Sequence, residues 1–538
     1  MNEEKIIYAQ NFKEQFTVRA ILVGVLGSII VSASSVYIAL RLGALPWATI
    51  FAGIFCFVIL KLLRQTNINE INVSQTAVSA GAITAGGVAF TVPAIWIMGI
   101  DTNISYLIIF ANILFAVLLG VIFTMLIRRF FIEKQTLTFP IGIASASTLR
   151  SAYRKGAGFI YLLAAFIFSG LFTVLRDGFG IVPPIIHFNN LYSKNIFCDI
   201  WLSPMAIGMG YIIGAFNGLM WFGAGIITYF MLIPWLMKIC FLGGEIDAVL
   251  EFKNNLAIGF IVGGGLAVVI KNIFRSRSIR NLFTLEKAKT FRYLLVMILT
   301  VSALLAIINQ ISILALLFVV VGVWLSSYLA AFLTGQTGID PMEIFGILVL
   351  LAVKIFFHID LFYSIILVSV VAVSCGIAGD IMQDFKAGKI LKTNPKAQIY
   401  AELIGGLVGG IVAVLMVILI IKAYGPNSLG PESYFVATQS FAVSKMLGGL
   451  IHMDAFLMGV VVSSILGLAG LPSMLMGLGI YLPMALNFAV GIGALWSFLI
   501  NKYRKRFARK SIVISSGLLG GESFVGIGFA IIKFITRS

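Results

Sequence analysis

Long apolar runs separated by short polar loops fill almost the whole chain. The first run covers residues 18–41, the second covers 45–63, and similar runs recur as far as 512–535. About 20 apolar residues in a helix span the roughly 30 Å hydrocarbon core of a bilayer. Because backbone polar groups in hydrocarbon must be satisfied internally, such runs predict transmembrane helices. The pattern predicts an all-α, polytopic integral membrane protein.

No long polar stretch divides the chain, so residues 1–538 are expected to form one membrane domain after a short cytoplasmic tail, 1–17. Counting the runs gives seventeen crossings and an external C-terminus, which Lys533 and Arg537 disfavour. One glycine-rich segment is therefore expected to be re-entrant, with 139–147 as a candidate. Residues 202–220 and 221–237 are expected to form a hairpin.

Composition and charge support a membrane protein. Hydrophobic residues make up 60% of the chain and charged residues 11%, against roughly 45–50% and 25% in soluble domains. Of the 38 Lys and Arg residues, 19 lie in three loops, 128–155, 271–292 and 502–510. The positive-inside rule places these loops in the cytoplasm. The net charge of +17 therefore indicates topology and contact with membrane lipids, and nucleic acid is not expected as a partner.

The residue types that carry enzymatic chemistry are scattered. The four cysteines show no CxxC pair, and the three histidines show no zinc-ligand spacing. No catalytic Ser/His arrangement or phosphate-binding loop is present in the sequence. We expect no metal site, no cofactor and no enzymatic activity.

The most informative stretch is 374–396, where an apolar run ends in glycines and carboxylates. Asp380 and Asp384 stand at helical spacing i, i+4 and share a face near Gln383. A buried charge at this depth costs roughly 2.5 to 3.5 kcal/mol, so the pair needs a function. Gly376 and Gly379 would let the helix unwind or let another helix approach. Lys386 would offset the repulsion between the carboxylates; a helix end with carboxylates paired to lysines remains the alternative.

Three further polar features are candidates for substrate binding or coupling. Asn72, Gln75 and Ser79 interrupt an apolar run and predict either a substrate pathway or close helix packing. Asp340 lies in a Gly- and Pro-containing break that is either functional or an ordinary turn. Glu522 follows an S-x-G-x-x-G run like the one before Asp380, which is consistent with a duplicated element.

These motifs resemble the oligopeptide transporter family. The resemblance rests on the G-D-x-M-Q-D-x-K-x-G run at 379–388 and on blocks at 14–19, 75–81, 202–214, 479–483 and 516–522. It implies about sixteen transmembrane helices with both ends inside, and proton-coupled symport of oligopeptides or, as in the yellow-stripe-like branch, of metal chelates. The chain departs from the family at Ala82 and Ile141, where the family often carries Glu.

The polar breaks, the carboxylate pair and the resemblance together favour a secondary transporter that works by alternating access in a bacterial inner membrane. The expected partners are protons and a small peptide or metal-chelate substrate; the choice between these substrates, and a homo-oligomer, stay open. The alternatives are an intramembrane aspartyl-type protease, suggested by Gly379-Asp380, and a channel or lipid translocase.

Overall fold

The computed structural model describes residues 6–43, 49–63, 66–100, 105–134, 137, 139–155, 157–188, 198–239, 246–275, 288–337, 340, 342–354, 356–430, 433–448 and 452–537. Most of these residues are helical. The α-helices are α1 Phe12–Gln15, α2 Val18–Leu42, α3 Thr49–Leu63, α4 Ile68–Thr91, α5 Ala94–Ile97, α6 Tyr106–Arg128, α7 Pro140–Lys155, α8 Ala157–Thr173, α9 Pro204–Ile213, α10 Ala215–Ile226, α11 Ile233–Lys238, α12 Ile246–Arg275, α13 Ala288–Asn309, α14 Ile313–Thr337, α15 Met342–Lys354, α16 Leu361–Leu391, α17 Pro395–Tyr424, α18 Thr438–Gly448, α19 Met453–Leu468, α20 Ser473–Tyr481, α21 Met484–Tyr503 and α22 Ala508–Arg537.

Short elements of other kinds connect the α-helices, among them two 3-10 helices at Pro426–Ser428 and Lys505–Phe507. Three π-helical segments extend or join α-helices, at Arg129–Lys134, Val174–Gly178 and Ile227–Leu232. Two strands, β1 Ile185–His187 and β2 Asp199–Trp201, pair antiparallel with Ile185 opposite Trp201.

The architecture confirms the predicted all-α, polytopic membrane protein. Nine helices within the described ranges are long and apolar enough to cross a bilayer. The total of about sixteen crossings stays a prediction.

Two large hydrophobic cores hold the helices together. The first takes its buried side chains mainly from α2, α4, α6 and α13 to α17. The second takes them mainly from α9 to α12 and α19 to α21. Helix α4 lies in the first group and is buried along its whole length, packed against α2, α16 and α17. Its polar side chains therefore face other helices.

Glycines make this close packing around α4 possible. A Cβ atom at Gly405 of α17 would overlap the carbonyl oxygen of Ala77, and one at Gly409 would overlap Gly81. Small residues let helix backbones approach one another in membranes. The Ser/Thr/Gly packing expected as one explanation of this polar run is therefore present, together with the polar contacts described below.

Helix α16 runs unbroken through the glycines that the sequence suggested as an unwinding point. Its glycines instead admit neighbouring groups: a Cβ at Gly376 would lie 3.0 Å from Met342 Sδ, and one at Gly379 would overlap the Asp340 carboxylate. Of the two uses predicted for these glycines, close approach is the correct one. Asp380 is only 1% exposed.

Three predicted element boundaries are wrong. The hairpin expected to turn near residue 220 turns at Gly214, whose φ of +91° lies in the region that glycine favours. The predicted run 475–500 is broken into α20 and α21 at Leu482 and Pro483, because proline cannot supply the N–H of a continuing helix. The short piece at 139–147 belongs to a longer helix, α7.

Contacts bring two of the basic loops to the end of the molecule that holds the start of α4. Tyr153 of α7 donates to the carbonyl of Thr66, just before α4, at 2.7 Å. Lys510 Nζ donates at 3.0 Å to Tyr161, which lies near the start of α8, the helix that follows α7. Most of the third basic loop lies outside the described residues. We refer to this end as the basic end; its cytoplasmic location stays a prediction.

Candidate functional site

Helices α4 and α16 meet through a seam of hydrogen bonds between buried polar residues. Ser79 Oγ donates to the carboxylate of Asp380, with distances of 2.8 and 2.7 Å to its two oxygens. One helical turn away, Gln75 Nε2 donates to Asp384 Oδ1 at 2.9 Å. The i, i+4 spacing of the carboxylates matches the spacing of their partners along α4. The structure thus brings together two pairs of residues that the sequence proposed as separate features.

A third carboxylate joins the pair from α17. Oxygen atoms of Asp380, Asp384 and Glu402 all lie within 4.8 Å of one another, and the three side chains are buried. We call these residues the carboxylate cluster. It is the one group of acidic, His or Cys side chains in the described ranges whose ligand atoms could together hold a cation.

Sequence reasoning did not select Glu402 as a site residue. Its signal was present, because Glu402 is the one charged residue between Lys396 and Lys422 in an otherwise apolar run. A single carboxylate at membrane depth is a functional candidate by default. Its neighbours come from another helix, and this contact is not visible in a local pattern.

The cluster is short of hydrogen bonds. Both carboxylate oxygens of Glu402 and Asp384 Oδ2 are buried and have no partner in the described part of the chain. An unpaired buried polar group costs about 1–3 kcal/mol, and more when it is charged. The unpaired oxygens therefore lower the stability of the fold locally, and apolar side chains could pack the same helices without this free-energy cost.

Amide and hydroxyl side chains flank the carboxylate cluster on the side nearer the basic end. Asn72 Nδ2 and Ser145 Oγ donate to Gln75 Oε1 at 3.3 and 3.0 Å. Gln398 Nε2, near the start of α17, donates to the main-chain oxygen of Asp384 at 2.7 Å. Asn72, Gln75 and Ser79 thus orient the carboxylates, and their role in a substrate pathway stays a prediction.

Gln383 and Lys386 face other elements. Gln383 accepts a hydrogen bond from the Gly142 amide at 2.8 Å and donates to the Thr334 carbonyl at 2.7 Å, so it ties α7 and α14 to α16. Lys386 Nζ donates to the carbonyl of Leu137 at 2.9 Å. Among the described residues it forms no ion pair with Asp380 or Asp384, so the expected offset of their repulsion is not seen.

Asp340 lies beside the cluster without joining it. Its carboxylate packs against Gly379, the residue before Asp380, and both of its oxygens are buried without a partner among the described residues. The polar break predicted at this position is therefore a real break between α14 and α15 that points an acid at α16.

Glu522 belongs to a separate network. It accepts hydrogen bonds from Ser203 Oγ at 2.9 Å and from the Met205 amide at 2.9 Å, and it pairs with Arg176 Nη2 at 2.9 Å. Ser203 is the N-cap of α9, so the carboxylate meets the positive end of that helix. Glu522 is fully partnered, unlike Glu402, and this favours a structural role for it.

Comparison with known proteins gives one family. A family model described as "OPT oligopeptide transporter protein" matches residues 15–242 and 278–533. A protein of Haemophilus influenzae named "Putative oligopeptide transporter" is 22% identical over 587 aligned positions, which cover 92% of this chain and 92% of the relative. Both matches extend over nearly the whole chain. The residues matched by the family model include all three members of the carboxylate cluster.

Proposed function

The chain belongs to the oligopeptide transporter family, and from this premise we propose that it carries oligopeptides across the membrane by proton-coupled symport. It is a multi-pass membrane transporter and not an enzyme, so the protease alternative is set aside. We place it in the inner membrane of a bacterial cell, with the basic end in the cytoplasm.

The hydrogen-bond deficit of the carboxylate cluster is the observation that carries the proton coupling. Three ionised carboxylates within 4.8 Å would repel one another strongly in a water-poor site. A protonated carboxyl group donates one hydrogen bond and can be shared with a neighbouring carboxylate. A proton on Glu402 or Asp384 would both reduce the charge and supply a donor to an oxygen that lacks one.

The position of the cluster connects protonation to conformational change. Asp380 and Asp384 lie on α16, Glu402 lies on α17, and their donors Ser79 and Gln75 lie on α4. Movement of one helix against another would separate the carboxylates and reduce their mutual repulsion, so a shared proton would be held less tightly. Protonation therefore favours the packed arrangement, and loss of the proton favours one in which the helices part.

Peptides are the substrate class that the family description and the relative's name favour. The chain's likeness to the metal-chelate branch makes metal chelates the second class to test. A channel or lipid translocase would not concentrate either substrate against its gradient.

The experiment is uptake into proteoliposomes that contain the purified protein. Panels of di- to pentapeptides and of metal chelates are offered with a pH gradient, with a sodium gradient and with neither. We expect peptides to accumulate only under the pH gradient, and we expect acidification of the lumen to accompany uptake. Accumulation driven by the sodium gradient alone would show that sodium, and not the proton, is the coupling ion. Equilibration of the substrate without accumulation would contradict symport.

Asp454→Asn is a suitable control variant for this assay. Asp454 is exposed in the first turn of α19, so its loss removes an acid without touching the carboxylate cluster. Uptake by this variant should match that of the wild type. Reduced uptake would show that general changes in charge, and not the cluster, affect the assay.

A further inference from the structure

A cavity of about 820 Å³ lies at the end of the molecule opposite the basic end. Arg41 in the last turn of α2, the β1–β2 hairpin, Lys253 of α12 and the α20–α21 junction line it. Pockets that bury small ligands have volumes of roughly 300–1,000 Å³. The cavity therefore has room for a peptide of a few residues.

Two cations and two acids line the cavity. Arg41 and Lys253 contribute a guanidinium and an ammonium group to the lining. Each acid lies against a basic side chain: Asp177 is 2.6 Å from Arg176, which also pairs with Glu522, and Asp199 lies 3.0 Å from His187 Nδ1. Arg41 and Lys253 are therefore the two groups of the wall that an anionic group on a ligand could meet.

Aromatic side chains fix the two cations in place. The guanidinium carbon of Arg41 lies 3.8 Å from the ring centroid of Tyr434 and 5.3 Å from that of Trp201. Lys253 is 4% exposed, and its Nζ donates to the Tyr229 hydroxyl at 3.1 Å and to the Tyr481 carbonyl at 3.0 Å. Cations held in this way lose little freedom when they bind a ligand.

A second cavity of about 540 Å³ adjoins the first and has more acidic than basic side chains in its lining. The two share Leu250, Asn254 and Ser433 in their linings. Asp247 and Glu251 line the second cavity, and Glu251 pairs with Lys445 at 3.3 Å. A zwitterionic peptide would be oriented with its amino end toward Asp247 and its carboxylate toward the two cations of the larger cavity.

We propose that the larger cavity binds a substrate peptide through its terminal carboxylate, which lies between Arg41 and Lys253. This inference rests on the proposed function, because it requires peptides to be the substrates. The aromatic walls would accept side chains of varied shape, whereas the cations select a group that every peptide with a free C-terminus carries. Under the proposed orientation the cavity faces the outside, where it would capture peptides before their transport.

The test compares three forms of the panel peptide that the wild-type protein accumulates best: the free acid, its C-terminal amide and its N-acetyl derivative. For the free acid, Arg41→Gln and Lys253→Gln should each raise the apparent KM about 10- to 100-fold, as expected for loss of one charge-assisted contact. The N-acetyl derivative keeps the carboxylate, so each of the two substitutions should raise its apparent KM by the same factor as for the free acid. The amide should be bound weakly by all forms of the protein and change little.

Two controls keep the result specific. Arg41→Lys retains the charge and should recover part of the lost affinity, which would also show that the site is still folded. Arg504→Gln removes an exposed cation at the basic end and should leave every KM unchanged. Equal losses for the acid and the amide would overturn the inference, because they would show that the two cations support the fold of the cavity.

The wild-type data separate this inference from the proposed function. If no peptide accumulates, the proposed function fails. If peptides accumulate and the amide is taken up as well as the free acid, transport stands and only the carboxylate site is overturned.

Discussion

Glu402 and Asp384 bring carboxylate oxygens to within 4.8 Å of each other from two different helices. Neither oxygen of Glu402 and only one of the two in Asp384 has a hydrogen-bond partner in the described ranges. A helix pair that needed only stability would place apolar or fully bonded side chains here. The unpaired oxygens are consistent with the proposed role of the cluster in proton coupling, and they make Glu402 the most direct residue with which to test that role.

Replacing Glu402 by Gln should uncouple transport and not damage the fold. The amide has nearly the same shape and removes one ionisable group from a cluster that lacks compensating charge. We expect Glu402→Gln to lose pH-driven accumulation by at least about tenfold, which corresponds to about 1.4 kcal/mol. The thermal unfolding temperature in detergent should stay equal or rise, as is common when strain at a functional site is removed.

Asp454→Asn again provides the comparison, with unchanged uptake and unchanged unfolding temperature. A large fall in the unfolding temperature of Glu402→Gln would contradict this prediction. It would mean that Glu402 stabilises the contact between α16 and α17.

The candidate site could be predicted from the sequence as far as helical periodicity reaches. Asp380 and Asp384 were identified because residues at i, i+4 share a helix face, and Gln75 and Ser79 show the same spacing on α4. That these two faces meet is a tertiary contact, and so is the approach of Glu402. Lys386 shows the limit of the method, since its charge suggested a role beside the carboxylates and the structure gives it another partner. The motif before Glu522 suggested a candidate for coupling, and the sequence did not reveal its ion pair with Arg176.

The same distinction applies to the fold. Apolar runs locate helices such as α2, predicted at 18–41 and observed at Val18–Leu42. Breaks within a run are harder to predict, because a glycine serves equally well at a turn and at a close contact. Gly214 forms a turn with a positive φ, whereas Gly379 makes room for Asp340 inside an unbroken helix, and the local sequence does not distinguish these two uses.

The orientation in the membrane can be tested by cysteine labelling. With Cys240 replaced by Ser, a cysteine placed at exposed His187 of β1 should react with an impermeant thiol reagent added to intact cells. A cysteine at exposed Lys505 should react only after the membrane is opened. The three other cysteines are buried and should contribute little background. The opposite pattern of labelling would reverse the proposed topology.

Close packing of α17 against α4 predicts a marked difference between two glycine substitutions. Gly405→Ala would push a methyl group into the Ala77 carbonyl, whereas a Cβ at Gly223 of α10 has nothing within 4 Å. We expect Gly405→Ala to lower the free energy of unfolding by about 1–3 kcal/mol. Gly223→Ala should be neutral or stabilise by up to about 1 kcal/mol, because alanine favours helix. Unfolding in detergent measures both, and equal effects would show that the helices are not in such close contact.

The final prediction concerns the roles of the two aspartates in coupling. Asp380 is bonded through both oxygens to the Ser79 hydroxyl, whereas Asp384 leaves Oδ2 without a partner in the described chain. Asp380 is thus suited to remain the fixed anion of the cluster and Asp384 to exchange the proton with Glu402. Asp384→Asn removes one partner of this exchange, and Asp380→Asn removes the fixed negative charge that favours a shared proton beside it. Both variants should therefore lose accumulation driven by a pH gradient. Counterflow of labelled against unlabelled peptide needs no net proton movement and should persist in both.

Ser79→Ala separates charge from hydrogen bonding, because it keeps all three carboxyl groups and removes one donor worth about 0.5–1.5 kcal/mol; it should reduce accumulation without abolishing it. If Asp380→Asn still concentrates peptide under a pH gradient, Asp380 has no part in coupling, and if counterflow is lost as well, the residue is needed for the conformational change itself.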